Sequence, residues 1–143
     1  ILPDGELLRQ MNVKDGFALK TALLNGLNIF IISGGNNEGV RSRLEKLGIK
    51  DIYLGAHDKT KQYNELLNKY NLQPENIMYM GDDLPDYPVM EQVGLPCCPN
   101  DAVAEIQQVA KYISDKKGGE GCVRDIIEQI LKVQEKWGND FDA

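Results

Sequence analysis

Short runs rich in β-branched, sulfur-containing and aromatic residues alternate along this chain with longer stretches whose apolar residues recur every three or four positions. The runs lie at 28–32 (Asn-Ile-Phe-Ile-Ile), 51–54 (Asp-Ile-Tyr-Leu), 77–80 (Ile-Met-Tyr-Met) and 94–98 (Gly-Leu-Pro-Cys-Cys). Their length and content predict strands, with a last short one at 111–113. Helices are expected from about Phe17 to Leu24, stopped by Asn25-Gly26, and from beyond Asn37 to Leu47, closed by Gly48. Others are expected over 55–70, 87–93 and 101–110. The last runs from 122 to about 136, with Val123, Ile126, Ile127, Ile130 and Leu131 on one stripe. Residues 12–16 read as a loop. Pro3-Asp4-Gly5, with Leu7, Leu8 and Met11, predicts a hairpin over 1–11. Alternating strands and helices predict one α/β domain over 1–143: a three-layer, Rossmann-like parallel sheet with helices on both faces, plus the N-terminal β-hairpin.

Charge narrows the partners. The net charge of −6 argues against nucleic acid, whose binders carry basic faces. An acidic chain that handles phosphate needs its positive charge concentrated locally or supplied by a metal. No apolar stretch is long enough to span a bilayer, and no signal peptide is visible. Cys97, Cys98 and Cys122 make an odd count, which suggests reduced thiols and a cytoplasmic setting. Adjacent Cys97-Cys98 lacks zinc spacing and reads as small buried side chains. His57 is the only histidine; nothing in the sequence pairs it with a cysteine as a nucleophile.

Three polar groups each follow a predicted strand. Ser33-Gly34-Gly35 places a hydroxyl and two glycines between a strand and a helix, an arrangement that suits an anion. A plain capping loop is the alternative. Lys59 falls in the first turn of a helix, where the dipole disfavours a cation. It meets an anion there or is a solvated surface lysine. Gly81-Asp82-Asp83-Leu84-Pro85-Asp86 crowds three carboxylates into five positions, which favours a hard cation such as Mg²⁺ or else an acidic helix cap. In a parallel sheet the positions after strands collect along one edge. There the three groups together form a site for a phosphoryl group and a metal.

These residues resemble the haloacid dehalogenase superfamily of phosphotransferases. Ile31-Ile32-Ser33-Gly34 is similar to its second motif, Lys59 to its third, and 81–86 to its fourth. More narrowly, 12–17 (Asn-Val-Lys-Asp-Gly-Phe), 55–59 (Gly-Ala-His-Asp-Lys) and 118–124 (Gly-Gly-Glu-Gly-Cys-Val-Arg) resemble stretches of the capless 3-deoxy-D-manno-octulosonate 8-phosphate phosphatases. The resemblance spans residue 1 to about 136. It implies a Mg²⁺-dependent phosphatase of a phosphorylated sugar acid, assembled as a homotetramer and serving lipopolysaccharide synthesis. It further implies that Ser33 and the Gly34 N–H bind a phosphoryl oxygen and Lys59 neutralises its charge. Asp82 would ligate Mg²⁺, Asp83 would act through water, and Asp86 would hold Lys59 or the metal shell. Arg41 and Arg43 are candidates for the substrate carboxylate, or else belong to a solvated helix face. Arg124 is a candidate to reach a bound anion from a mobile Gly118–Arg124 segment, or is an ordinary first-turn residue.

The family's first motif, Asp-x-Asp after an opening apolar strand, does not precede the second here. Asp4-Gly5 sits in a turn, and Asp140-Phe141-Asp142 lies in a polar tail and reads as a decoy. The expectation is an additional N-terminal segment carrying the nucleophile and general acid, on a strand between those at 28–32 and 77–80. Two other readings stay open. One is a nine-carbon ulosonic acid phosphate phosphatase, a branch that carries an acidic residue where Gly35 stands. The other is a non-catalytic tetramerisation module, against which the retained Ser33, Lys59, Asp82, Asp83 and Asp86 speak.

Overall fold

The computed structural model describes residues 13–36 and 38–137. The expected hairpin, Asn37 and Asp140-Phe141-Asp142 lie outside them. Strand β1 (Phe30–Ile32) pairs in parallel with β2 (Asp51–Tyr53), Phe30 opposite Asp51 and Ile32 opposite Tyr53. Strands β3 (Met78–Met80), β4 (Leu95–Cys98) and β5 (Tyr112–Ile113) form a second parallel sheet in that order, Met80 opposite Cys97. Parallel neighbours need crossovers. Helices α2 (Glu38–Leu47), α3 (Lys59–Tyr70), α4 (Tyr87–Met90) and α5 (Ala104–Val109) occupy the four connections between successive strands. Helix α1 (Val13–Leu24) precedes β1, and α6 (Cys122–Val133) follows β5.

Strand residues alternate between two helical layers. On one side Ile29 and Ile31 pack with Ala18, Leu44, Ile127 and Leu131 from α1, α2 and α6. On the other, Ile32 and Tyr79 pack with Tyr63 and Val89 from α3 and α4. Met90, Cys98 and Ile106 extend this second layer to α5. The expected three-layer α/β architecture is present. Among the described residues no backbone ladder joins β1 to β3, so the two sheets leave a cleft between them.

Several boundaries differ from the sequence expectation. The predicted loop at 12–16 is helical from Val13, so α1 starts before Phe17 and includes Gly16. Asp15 is buried in it, accepting the Arg124 N–H at 2.9 Å, and a tertiary contact thus offsets the weak helix propensity of glycine. Strand β1 is shorter than 28–32 and half-buried because β2 offers it only three partners. The helix expected from 55 begins at Lys59, since Gly55 adopts φ +64° and Asp58 is extended. The helix expected over 87–93 ends at Met90. That expected over 101–110 contracts to 104–109, because the Val103 N–H is drawn to the Asp82 carbonyl (3.2 Å). Helix α6 stops at Val133 rather than Lys136: Glu135 turns left-handed and the Lys136 N–H closes back on the Leu131 carbonyl at 2.7 Å.

Asp125 ties α6 to β5. Its Oδ2 accepts from Tyr112 and from Ser114, each at 2.7 Å, and its Oδ1 from Gln129 at 2.9 Å. Burial opposes the Asp125 charge, but the Tyr112, Ser114 and Gln129 hydrogen bonds outweigh it and hold the carboxyl below the usual carboxylate range. A carboxylate with a depressed folded pKa stabilises above its unfolded pKa, and the stabilisation is lost as pH falls through the folded value. We expect Asp125→Asn to destabilise the fold by roughly 1 kcal/mol near neutral pH, allowing for solvent screening of this half-buried group. Thermal unfolding over a pH series checks this: the gap to wild type should close as pH drops below about 3.9, and a gap independent of pH contradicts the assignment.

Candidate active site

The residues following β1, β2 and β3 converge on one end of the cleft. Two loops are zipped together first. The Ser33 N–H donates to the Tyr53 carbonyl (2.9 Å), the Ala56 N–H to the Ser33 carbonyl (2.9 Å), and the Gly55 N–H to the Gly35 carbonyl (2.8 Å). Gly55 suits this turn through its left-handed φ of +64°. The Ser33 hydroxyl accepts from the Gly35 N–H at 3.1 Å, which leaves its own hydrogen available to an acceptor.

Lys59 is the first residue of α3. Its ammonium sits at the positive end of the helix dipole and is compensated by Asp86 Oδ1 at 2.8 Å. Asp86 is 2% exposed. Its Oδ1 also accepts from the Tyr79 hydroxyl at 2.6 Å, and its Oδ2 from the N–H groups of Asp82 (3.0 Å) and Asp83 (3.3 Å). Burial alone would push the Asp86 carboxyl up, but the bonds from Lys59 and Tyr79 and the lysine charge hold it below its usual range. The Tyr79 hydroxyl is shifted the other way, held protonated by burial and by the carboxylate it faces.

The two remaining acids differ. Asp83 caps the 3₁₀ turn Leu84–Asp86: its Oδ1 accepts the Leu84 N–H at 2.7 Å while Asp86 answers the Asp83 N–H. Asp82 has an exposed surface but a crowded carboxylate. Desolvation first, and then the Asp86 charge, raise its pKa. Among the described residues no hydrogen bond engages its carboxylate, so both oxygens remain for a cation.

Lys59, Asp82 and Asp86 line one cleft of about 240 Å³ together with Ile32, Met80, Gly81, Pro99, Gly118 and Cys122. Ser33 and Gly34 lie on the adjoining loop. The three arginines do not line this cleft. Arg41 bonds Glu38 (3.0 Å) and the Ile52 carbonyl (3.0 Å). Arg43 is exposed on α2. The Arg124 guanidinium lies over the rings of Trp137 (5.5 Å) and Phe17 (5.7 Å) and pairs with Glu128 at 3.4 Å. Sequence reading missed Tyr79. The available signal was a hydroxyl inside an otherwise apolar strand, since a buried tyrosine usually directs its O–H to a partner.

The donor set fits a hard divalent cation. Among the described residues no three His, Cys, Asp or Glu side chains form a metal cluster, so Asp82 would be a single carboxylate ligand. That suits Mg²⁺, which keeps several waters and is held by one or two carboxylates plus substrate phosphate.

Residues 48–126 match the family model of the haloacid dehalogenase-like hydrolases. The 3-deoxy-D-manno-octulosonate 8-phosphate phosphatase of Yersinia pestis is 39% identical over 132 residues, covering 92% of this chain and 71% of that protein. The crystal structure of the Y. pestis enzyme superposes with a TM-score of 0.85, at 39% identity over 87% of this chain and 68% of that one. The enzyme of the same name from Moraxella catarrhalis, solved in complex with magnesium ion, phosphate ion and KDO, gives 0.84, at 33% identity over 87% and 71%. The capless-phosphatase resemblance and the parallel fold thus agree with the geometry of Ser33, Lys59 and the 81–86 loop, and the chain belongs to the haloacid dehalogenase superfamily, in the 3-deoxy-D-manno-octulosonate 8-phosphate phosphatase family.

Proposed function

We propose that this protein is a Mg²⁺-dependent phosphatase that hydrolyses 3-deoxy-D-manno-octulosonate 8-phosphate to the free sugar acid and phosphate. The observation that carries the reading is a half-buried lysine fixed by a buried aspartate at 2.8 Å, beside an uncommitted aspartate, in a cleft at one sheet end. Nothing about a capping loop or a scaffold requires that arrangement. Ser33 Oγ and the Gly34 N–H take a phosphoryl oxygen, and Lys59 stabilises the negative charge that shifts among those oxygens as the ester bond breaks. Asp82 would hold the metal, Asp83 would shape its loop and order water there, and Asp86 fixes Lys59. When bound, the cation screens the phosphoryl charge. Gly35 puts no acid beside the substrate, which favours the eight-carbon over the nine-carbon sugar acid. Arg41, Arg43 and Arg124 remain proposals for the carboxylate end, and each would first have to leave the contacts it makes here. We place the enzyme in the cytoplasm as a homotetramer. Leu84 and Val103, exposed near the acidic loop, are apolar surface that assembly can cover.

In the full-length protein, Asp82→Asn should abolish Mg²⁺-dependent release of phosphate, and Lys59→Ala should lower kcat by about a hundredfold or more, the scale of one lost electrostatic group. A phosphate-release assay reads both, and activity that survives both substitutions refutes the assignment. Gly81 sets the loop's path: a Cβ there would lie 2.4 Å from Asp86 Cβ and 2.8 Å from Met90 Sδ. Gly81→Ala should therefore lower kcat and the melting temperature together, measured on one preparation. Sedimentation velocity should give a tetramer, and a monomer would remove the assembly from the proposal.

A further inference from the structure

Asp86 holds Lys59 in place, and something must hold Asp86. A carboxylate offers about four acceptor positions. Here all four are taken: the Asp82 and Asp83 N–H groups on Oδ2, and Lys59 and Tyr79 on Oδ1. The two amides fix the plane of the carboxylate, because they belong to the turn that Asp86 itself closes. On Oδ1 the tyrosine takes the second position. Tyr79 comes from the middle of β3 and its ring packs in the layer formed by α3 and α4, so packing as well as the strand backbone positions its hydroxyl.

An ammonium has three hydrogens and no fixed plane. Facing a carboxylate oxygen with two vacant positions, Lys59 would turn further onto Asp86 and spend its donors there. Facing an oxygen already filled on one side, it keeps one bond to Asp86 and directs its other hydrogens into the cleft it lines. The geometry points to Tyr79 as a positioning residue: its hydroxyl, through Asp86, limits Lys59 to a single internal hydrogen bond and leaves the ammonium for a phosphoryl oxygen. This inference rests on the phosphatase reading for the identity of the anion, but its geometry is independent of the sugar.

Tyr79→Phe isolates the effect, since the ring and its packing are kept and one oxygen is removed. Binding of inorganic phosphate with Mg²⁺ is measured by calorimetry in the full-length wild type, Y79F, K59A and the double variant, with melting temperatures as a check on folding. Y79F should weaken phosphate binding about tenfold when Lys59 is present, the scale of one hydrogen bond to a charged group. It should change binding less than twofold in the K59A background, because coupled residues do not add. An equal loss in both backgrounds means Tyr79 acts on the fold at large and overturns the inference. No loss beside Lys59, or a wild type that does not bind phosphate, overturns it as well. If the cycle comes out as expected while 3-deoxy-D-manno-octulosonate 8-phosphate is not turned over, the positioning role stands and the substrate reading falls.

Discussion

The site depends on one ion pair. Lys59 and Asp86 meet at 2.8 Å with little of either side chain exposed. Bringing two charges out of water is costly, and their attraction repays it only when the remaining polar positions are satisfied. Here they are, by a phenol and two backbone amides on the aspartate. The consequence is mutual dependence. Removing either charge leaves the other uncompensated, a loss of about 3–5 kcal/mol for pairs of this kind. The start of α3 and the 81–86 loop therefore hold one another, although they come from opposite sides of the cleft.

That division of labour runs through the molecule. The β1–β2 half supplies donors: the Ser33 hydroxyl, the Gly34 N–H and, at the start of α3, the Lys59 ammonium. The β3–β5 half supplies carboxylates. Helix α3 crosses from one half to the other, and Tyr63 on it packs with Ile32 of β1 and with Ile77 and Tyr79 around β3. The cleft is thus bounded by two sheets but spanned by one helical layer. The opposite layer is closed by α1 against α6, with buried Asp15 on the Arg124 N–H and Asp125 on β5. The wall at Gly118 and Cys122 leads directly into that second closure.

Net charge and local charge need not agree. An acidic protein handles an anion by placing a single cation where the surrounding acids are already occupied. Asp86 is neutralised by its donors and Asp83 is committed to a cap. Asp82 makes no carboxylate hydrogen bond among the described residues, and burial first and then the Asp86 charge raise its pKa. A divalent cation would supply a partner there and bring the local balance into line with a phosphorylated ligand.

Much of this was legible in the residues. Short β-branched runs and amphipathic stretches are local signals, so the order of strands and helices followed from them, as did the placing of Ser33, Lys59 and the acidic loop after strands. The pattern of glycines and acids carried the family resemblance. Boundaries were legible only where the stop is local, as at Gly48. Helix α1 took in Gly16, and β1 shrank to three residues, because α6 and β2 decided them. The sequence could also not rank the three acids. Asp82, Asp83 and Asp86 are chemically identical, and only the folded surroundings, including Lys59 and Tyr79, 27 and 7 positions away from Asp86, make one a buried anchor, one a cap and leave the third carboxylate without a hydrogen bond among the described residues. Residue type is written in the chain, whereas solvation and partner, which set what an ionisable group does, exist only once distant segments are brought together.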